Sequence, residues 1–361
     1  MVRVLALTRY PRVAASSRQR FLIYIPYLAD HGIEVTVRSF FDDAYIDGVN
    51  RGGAVNALRL VRRYRRRLAD LLRRRRYDLL WVEKEALPQA PYWLEALLLR
   101  GSKVMLDLDD AWHLRTKASP LRRLLAGKME RLSRRADTLL VANAALGRWA
   151  QEAGVERERI RLAPTGLDVA HYPVEAEPGE PFTLGWIGGP FTAANLEAIS
   201  EPLRRLSAEG VRLLVVGEGR DFDGLAGIDL EQHLWSEDTE AALIARCHVG
   251  INPLPDDEWS NFKSGYKLIQ YMAAGRASVA SPVGANSDVV KDGETGMFAR
   301  DDADWYRQID RLRRDEGLRA RLGRQARRDC EERFSIEALG KSLAEAIRRL
   351  AQPLRGKSKG G

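Results

Sequence analysis

Short apolar runs alternate with longer stretches of helical periodicity along the chain, and this alternation is the main fold signal of the sequence. In the first half, the runs that predict strands are Val2–Leu7, Ile33–Val37, Asp78–Val82, Lys103–Asp107, Thr138–Val141 and Ile160–Leu162. Between them, apolar residues recur at helical spacing, and the predicted helices cover Phe21–His31, residues 58–76, Tyr92–Leu99, Leu121–Ala136 and Ala144–Gln151. Mostly apolar strands separated by helices are typical of a parallel sheet with helices on both faces.

The same alternation restarts after His171–Pro181, a segment rich in proline and glutamate that is typical of a linker. The strands predicted after it are Phe182–Ile187, Arg212–Val216, Gln232–Leu234, Val249–Asn252, Ala277–Ala280, Val289–Val290 and Gly296–Phe298. The helices predicted after it are Ala193–Ala208, Thr239–Arg246, a helix ended by Ala273-Ala274-Gly275, Asp302–Arg314, Glu316–Arg333 and Ile336–Leu350. The pattern predicts an α/β protein of two doubly wound, Rossmann-like domains, residues 1–172 and 182–335, with a disordered tail over residues 351–361. Ligands of open parallel sheets bind at the carboxyl ends of the strands, so a cleft between two such facing domains is the expected site.

Length and composition agree with a two-domain globular protein. The chain has 361 residues, of which 45% are hydrophobic and 30% are charged. No run approaches the roughly 18 to 20 apolar residues that span a bilayer, and the apolar N-terminal segment is too short for a signal peptide. The two cysteines, Cys247 and Cys330, have neither metal-site nor disulfide-framework spacing. A cytoplasmic location is therefore expected.

Positive charge is concentrated in the first half of the chain. Residues 1–170 contain 32 Lys and Arg against 19 Asp and Glu, whereas the whole chain has a net charge of +8. The densest part runs from Arg62 to Arg76, and Leu58, Val61, Leu68, Leu71 and Leu72 fall between the arginines at helical spacing. Such an amphipathic basic helix suits an anionic membrane surface, nucleic-acid phosphates or a merely solvated face. Because no nucleic-acid-binding motif accompanies it, we expect no nucleic-acid partner.

A second local signal is a pair of lysines at a helix start. Lys263 and Lys267 flank Ser264 and Gly265, directly before the apolar helical stretch. Unpaired backbone N–H groups at a helix N-terminus, together with the helix dipole and two ammonium groups, form a site for a phosphate-sized anion. The alternative is a surface helix whose lysines are solvated.

The stretch around these lysines resembles the C-terminal signature of GT-B glycosyltransferases of the retaining family 4, or group 1, type. It is closest to a bacterial subgroup that reads K-x-G-x-K-L-x-Q-Y-M-A-A-G followed by S-P-V-G, which Lys263–Gly275 and Ser281–Gly284 match. The resemblance implies two facing domains of the GT-B fold, with the helix over residues 336–350 crossing back onto the first. It also implies that a nucleotide-sugar diphosphate binds at this helix start.

The common family pattern has two glutamates that this chain lacks. Phe262 and Gln270 stand at their positions. Gln270 can still hydrogen-bond ribose hydroxyls as donor and acceptor. The role of the first glutamate, which lies near the transferred sugar, is not assigned to any residue of this chain. This departure bears on sugar identity more than on reaction type.

Loops after three strands of the second domain are the other donor-site candidates, and the first two of these loops contain glycines. Glycines after a strand let a backbone approach a diphosphate closely, and a plain tight turn is the alternative. With the resemblance added, the expected donor-binding residues are Gly188, Gly189, Thr192, Gly217, Trp235, Ser264, Gly265 and Gln270. The arginine and lysine that many members carry after the first loop are absent, so Lys263 and Lys267 are the expected catalytic charges facing the leaving diphosphate.

In the first domain, Asp107, Asp109 and Asp110 stand together at the end of a strand. Carboxylates this close should perturb one another's pKa values unless a cation or a hydroxyl-rich ligand lies among them. The resemblance places Asp109 where many members have a histidine that touches the donor sugar, so Asp109 is a catalytic candidate. A metal site and helix capping are the alternatives, and we expect no metal or cofactor, as is general for the fold. Acceptor-binding candidates are Arg18, Arg20 and Glu83.

These expectations combine into a retaining glycosyltransferase that moves a sugar from a nucleotide-sugar donor to a glycan or lipid-linked acceptor in bacterial cell-surface synthesis. Peripheral attachment to the inner membrane face through Arg62–Arg76 is one of its open alternatives. A GT-B-fold nucleotide-sugar epimerase and a non-catalytic nucleotide-sugar-binding protein are the alternative functions.

Overall fold

The computed structural model describes residues 1–45, 57–114, 121–174, 178–189, 192–217 and 222–352. The chain forms two compact units. Unit 1 comprises Met1–Thr165 and the residues from Leu339 onward, and unit 2 comprises Gly166–Ala338. The predicted tail from residue 353 onward lies outside the described residues. Within those ranges, no helix has the length and apolar character needed to cross a membrane.

Unit 1 is built on one parallel sheet. Its strands are β1 Val2–Thr8, β2 Ile33–Ser39, β3 Leu79–Glu83, β4 Val104–Leu108, β5 Thr138–Val141 and β6 Ile160–Leu162, in the order β2-β1-β3-β4-β5-β6. Its helices are α1 Ala15–Arg20, α2 Ile25–Asp30, α3 Ala57–Leu72, α4 Tyr92–Leu98, α5 Arg122–Leu125, α6 Lys128–Arg135 and α7 Ala144–Glu152. The direction of winding reverses between β1 and β3, and ligands of such sheets bind beside this point.

Unit 2 repeats the architecture with a different strand order. Its strands are β7 Thr183–Gly188, β8 Arg212–Gly217, β9 Leu230–Leu234, β10 Val249–Asn252, β11 Ala277–Ala280 and β12 Met297–Phe298, in the order β12-β11-β10-β7-β8-β9. Its helices are α8 Ala193–Glu197, α9 Ser200–Ala208, α10 Glu240–Ala245, α11 Tyr266–Ala273, α12 Asn286–Val289, α13 Asp302–Arg314 and α14 Glu316–Arg333, and α15 Ile336–Ala351 starts here. The winding reverses between β7 and β10, which is the corresponding ligand-binding point.

The predicted division of the chain differs from the observed one by a few residues. Residues 166–172 were assigned to the first domain, but Leu167, Val169 and Tyr172 pack into a core cluster of unit 2. Helix α15 spans both units, and from Leu339 onward it belongs to unit 1. Its Arg348 donates a hydrogen bond to the carbonyl of His31, 2.5 Å away.

Most predicted strands are present, and one is wrong. Residues 286–289 form α12, so the predicted strand Val289–Val290 does not exist. Val289 is the last residue of this helix, Val290 follows it, and both valines are buried. Two predicted helices are each divided into two shorter ones. The helix predicted over Leu121–Ala136 is interrupted at Gly127, whose φ is 63°, and that over Ala193–Ala208 is interrupted between α8 and α9.

The predicted basic helix is present as α3, and its buried face is not purely apolar. Leu58, Val61 and Leu72 are 81%, 57% and 71% exposed. The buried residues of the helix are Arg63, Arg67 and Leu71. The apolar spacing was read correctly as helical, but burial here follows the carbonyl groups and aromatic rings that the arginines can reach.

Candidate functional site

The loop after β7 and the start of α11 form a lysine pocket in unit 2, made of Trp186, Gly188, Thr192 and Lys267. The Lys267 ammonium lies 4.3 Å from the centre of the Trp186 ring and 3.4 Å from Thr192 Oγ1. Thr192 also donates to the carbonyl of Gly189, 3.0 Å away. The structure therefore brings three predicted donor-site residues together, Gly188, Thr192 and Lys267, at the point where the sheet winding reverses, and it adds Trp186, which sequence reasoning missed. Pro190 and Phe191 of the same loop lie outside the described residues.

Gly188 is required for the lysine pocket. A Cβ at this position would lie 2.6 Å from the Trp186 ring and 2.7 Å from Lys267 Nζ. Gly217, at the end of the neighbouring strand β8, also has no room for a side chain. A Cβ there would lie 2.3 Å from the carbonyl oxygen of Gly188. Both glycines were predicted as donor-binding residues. The lack of a side chain at Gly188 leaves room for Lys267 beside Trp186, and the lack of one at Gly217 lets the end of β8 lie against the end of β7.

Lys267 forms no ion pair with a carboxylate among the residues that the structure describes, which do not include residues 218–221 after β8. Burial, and to a smaller extent the positive charge of Lys263, lowers the pKa of Lys267 to about 7. A lysine with a lowered pKa and no acidic partner among the described residues is typical of a site that binds an anion.

The predicted helix start is confirmed. Gly265 is the residue before α11, with a left-handed φ of 67°, and Tyr266 is the first helical residue. A Cβ at Gly265 would also lie 3.1 Å from Val289. Lys263 precedes the helix, with its ammonium 5.1 Å from the centre of the Trp259 ring. Ser264, between them, is half-buried.

Gln270 and Trp235 belong to a second polar group in unit 2, linked by buried hydrogen bonds. Gln270 donates to the hydroxyl of Tyr172 at 3.0 Å, and this hydroxyl donates to Glu240 at 2.9 Å. The Trp235 indole donates to the other oxygen of Glu240 at 2.6 Å. Burial, followed by Glu240, raises the pKa of Tyr172, so its proton is retained for this chain of hydrogen bonds. Sequence reasoning missed Glu240 and Tyr172, because neither stands in a motif.

In unit 1, charged side chains gather at the carboxyl ends of β1, β3 and β4. The Lys84 ammonium lies 3.0 Å from Asp109, and Lys84 has a left-handed φ of 63°. Burial tends to raise the pKa of Asp109, but Lys84 and Arg20 outweigh it, so the pKa lies below its usual range. Burial raises the pKa of Asp107 to about 6, against the opposing effect of Arg20. The pKa values of Asp107 and Asp109 are thus perturbed as expected. The cations that interact with these carboxylates are Lys84 and Arg20.

The three predicted acceptor-binding residues are all buried and hydrogen-bonded within unit 1. Arg20 donates to Asp107 at 2.6 Å, and Arg18 donates to backbone carbonyls of the loop after β1. Glu83 accepts from the backbone N–H of Arg9 at 2.7 Å and from the hydroxyl of Ser17 at 2.6 Å. These contacts hold the loop after β1 against the sheet. The acceptor role of the three residues stays a prediction.

Two further buried cations were missed by sequence reasoning. Arg9 pairs with Glu85 at 2.7 Å, and Lys128 lies 2.6 Å from Glu85 and 2.9 Å from Glu95. A lysine or arginine inside a helix or after a strand gives no sequence signal that it is buried, so only the fold identifies these ion pairs. Over the described ranges, no group of three or more His, Cys, Asp or Glu side chains is arranged to hold a metal ion.

Comparison with known proteins gives two family matches that cover most of the chain. The family described as "Glycosyl transferases group 1" matches residues 182–315, and "Glycosyltransferase Family 4" matches residues 23–171. A D-inositol 3-phosphate glycosyltransferase of Nocardia farcinica is 28% identical over 200 residues, which is 48% of this chain and 44% of that protein. The chain thus aligns with less than half of the length of that relative.

Solved structures with a similar fold include two bacterial proteins. HepE of Anabaena in complex with UDP-glucose has a TM-score of 0.73 at 16% identity, covering 97% of this chain and 100% of HepE. Sucrose-phosphate synthase of Thermosynechococcus elongatus has a TM-score of 0.70 at 16% identity, covering 97% and 99%. At this identity the likeness concerns the fold, and it confirms the predicted pair of Rossmann-like α/β units of the GT-B type.

Proposed function

Because this chain belongs to the group 1 glycosyltransferases, we propose that it moves a sugar from a nucleoside diphosphate sugar to a hydroxyl group of an acceptor, with retention of configuration at the anomeric carbon. The observation that carries the proposal is the lysine pocket. Lys267 presents a positive charge beside glycine backbone at the point where the sheet winding of unit 2 reverses. A diphosphate is the group of the donor that such a pocket suits.

In the proposed mechanism, the bond between the anomeric carbon and the diphosphate oxygen breaks first. The bonding electrons go to the diphosphate, and the sugar becomes oxocarbenium-like until the acceptor oxygen bonds to the anomeric carbon. The acceptor proton goes to the departing diphosphate. Stabilising the charge on the leaving group is then the main catalytic task, for which Lys267, Lys263 and the amides at the start of α11 are available.

Replacing Lys267 tests this assignment. Lys267→Ala removes one charge that stabilises the leaving group, and we expect the turnover rate to fall on the order of 10²–10³-fold. Lys341→Ala, on the exposed face of α15, is the matched control and should retain normal turnover. Near-normal turnover of Lys267→Ala would contradict the role given to the lysine pocket.

The donor is proposed to be a UDP-sugar. The support is that HepE, with a similar fold, was crystallised with UDP-glucose. Incubation with UDP-, GDP-, ADP- and TDP-sugars, followed by measurement of the released nucleotide, tests this choice. Release from a UDP-sugar alone agrees with the proposal, whereas release from another nucleotide only would require a different donor.

Stereochemistry is a separate test. Retention means that an α-linked donor yields an α-linked product, which the anomeric proton coupling of the product reports by NMR. A β-linked product from an α-linked donor would overturn the retaining mechanism without affecting the assignment of the donor site. Dependence of nucleotide release on an added acceptor would distinguish the transferase from an epimerase, and release itself would exclude a protein that only binds nucleotide sugars.

We further propose that the reaction needs no metal ion. The contacts of Asp109 support this, since its carboxylate is occupied by the Lys84 ammonium. Activity that survives dialysis against EDTA agrees with the proposal, and activity restored only by added Mg²⁺ or Mn²⁺ contradicts it.

The acceptor is proposed to be a glycan or a lipid-linked molecule at an anionic membrane surface, as part of bacterial cell-surface synthesis. The exposed face of α3 supports this, because Leu58, Val61 and Leu72 are exposed among exposed arginines. A helix that exposes apolar and cationic side chains together suits the interfacial region of an anionic bilayer. Leu58→Ser with Val61→Ser should weaken binding to vesicles that contain phosphatidylglycerol, as measured by co-sedimentation, and unchanged binding would contradict it.

A further inference from the structure

Four arginines converge on one cavity of unit 1, outside the lysine pocket and the charged group at the ends of β1, β3 and β4. The cavity has a volume of about 210 Å³ and is lined by Arg59, Arg62, Arg63 and Arg66 of α3 and by Asp42 and Ala44. Its lining, among the residues that the structure describes, thus contains four arginines and one carboxylate. We infer that this arginine cavity binds a phosphate group.

The arginines line the cavity because of the helix geometry of α3. Positions 59, 62, 63 and 66 are spaced by three and four residues, so they lie on one face of the helix. Asp42 and Ala44 follow β2 and form the opposite wall. The cavity therefore results from the packing of α3 beside the end of β2.

Two of the four arginines are held in place by contacts with the protein. Arg63 is 5% exposed, and its guanidinium donates to Asp42 at 2.7 Å and lies 4.9 Å from the centre of the Tyr45 ring. Arg66 donates to the carbonyl of Ser39 at 3.0 Å. Side chains that are fixed before a ligand arrives lose less entropy on binding. The cavity is thus a prepared site, unlike a row of mobile surface arginines.

Hydrogen-bonding capacity remains for a ligand. The buried Nε of Arg63 has no hydrogen-bond partner, although buried guanidinium nitrogens normally have one. Arg62 forms no hydrogen bond or ion pair with any residue in the described part of the chain. Since Asp42 pairs with Arg63 and Arg62 has no carboxylate partner in the described part of the chain, the cavity favours an anion that accepts several N–H groups. Phosphate has this chemistry, and arginine is the side chain that matches its geometry.

The phosphate can belong to a lipid headgroup or to a soluble ion, and both share this chemistry. The membrane face proposed for α3 and the arginine cavity are distinct parts of the helix, because Leu58, Val61 and Leu72 do not line the cavity. The inference does not depend on the glycosyl-transfer reaction, whose lysine pocket lies in unit 2.

The test compares two double variants with the same loss of charge. Arg59→Gln with Arg62→Gln removes two cavity arginines, whereas Arg65→Gln with Arg73→Gln removes two exposed arginines that do not line the cavity. Binding of inorganic phosphate is measured by equilibrium dialysis with the full chain. Any phosphate bound by the lysine pocket is common to both variants, so their difference reports the cavity. Circular dichroism confirms that each variant is folded.

We expect the cavity variant to bind phosphate about tenfold more weakly or worse than the parent, and the control variant to bind it within about twofold, because charge-assisted hydrogen bonds are strong. Equal losses in the two variants would overturn the inference and leave a uniformly charged helix. No phosphate binding by the parent protein would overturn it as well.

A second measurement distinguishes the source of the phosphate. Vesicles with phosphatidic acid expose a terminal phosphate, whereas those with phosphatidylglycerol bury the same charge in a diester. If the phosphate belongs to a lipid headgroup, phosphatidic acid vesicles should bind the parent more tightly at matched surface charge, and the cavity variant should lose this preference. If the phosphate is soluble, free phosphate should bind with no preference between the vesicles.

Discussion

An added methyl group at Gly188 would overlap with both sides of the lysine pocket. Its Cβ would lie 2.6 Å from the Trp186 ring and 2.7 Å from Lys267 Nζ, whereas a Cβ at Gly189 would meet nothing within 4 Å. Two adjacent glycines of one loop thus differ sharply in the space around them. The sequence predicted both as donor-binding residues and could not distinguish them, because the difference depends on side chains from a strand and from a distant helix.

This difference gives a matched pair of variants. We expect Gly188→Ala to displace Lys267 and to weaken binding of a UDP-sugar by about tenfold or more, since a charge-assisted contact is lost. Gly189→Ala should bind within about twofold of the parent. Isothermal titration calorimetry measures both, and equal affinities for the two variants would show that the lysine pocket does not contact the donor.

The pKa of Lys267 gives a pH dependence. Because burial lowers this pKa to about 7, Lys267 of the free protein is charged below about pH 7 and neutral above it. We expect the affinity for a UDP-sugar, whose diphosphate does not titrate in this range, to fall as the pH rises from 6 to 9. Lys267→Arg should remove this dependence and retain binding, since arginine stays charged. A pH-independent affinity in the parent would contradict the assignment.

The lowered pKa of Lys267 makes the stability of the free protein change with pH in the direction opposite to donor affinity. An unfolded lysine has a pKa near 10.4, so between about pH 7 and 10.4 the unfolded chain binds more protons at Lys267 than the folded chain does. The contribution of Lys267 to the free energy of unfolding therefore rises with pH across that window. Donor binding and stability should thus respond oppositely to alkaline pH.

At the scale of elements, α3 shows how tertiary contacts can override an amphipathic pattern. Arg67 is 2% exposed, and its guanidinium donates to the carbonyls of Thr8 at 2.7 Å and Arg38 at 3.1 Å. Burial lowers the pKa of Arg67 to about 10. Long arginine side chains can cover apolar surface and also satisfy strand-end carbonyls, so Arg67 is buried on this helix together with Leu71.

A matched pair on α3 tests this arrangement. Arg67→Ala removes two hydrogen bonds and a large buried side chain, and we expect it to lower the free energy of unfolding by about 2 kcal/mol or more. Arg65→Ala, two residues earlier on the exposed face, should change it by less than about 0.5 kcal/mol. Urea unfolding followed by circular dichroism measures both. Equal changes would show that the buried contacts of Arg67 contribute nothing.

At the scale of the whole molecule, the two units have separate cores and separate candidate sites. Core clusters of buried residues lie within unit 2, and the lysine pocket is made of unit 2 residues alone. The arginine cavity is made of unit 1 residues alone. Each ligand is therefore expected to stabilise mainly the unit that binds it.

Hydrogen exchange of the full chain tests this expectation. UDP at about 100 times its dissociation constant should stabilise the protein by about 2.7 kcal/mol, and slower exchange should be concentrated between Gly166 and Ala338. Lys267→Met should reduce the effect. Slower exchange confined to residues before Thr165 would place the nucleotide site in unit 1 and contradict its assignment to unit 2.

The sequence by itself determined the elements and the helix start that precedes the candidate donor site. Periodicity and apolar runs are local properties, so they predicted nearly all strands, both α/β units and the start of α11 next to Ser264 and Gly265. Tertiary structure decided what depends on residues far apart in the chain. Lys267 meets Thr192 across 75 positions, and Arg67 meets Thr8 across 59. The burial of these side chains and the lowered pKa of Lys267 arise from such contacts, and no local pattern contains them.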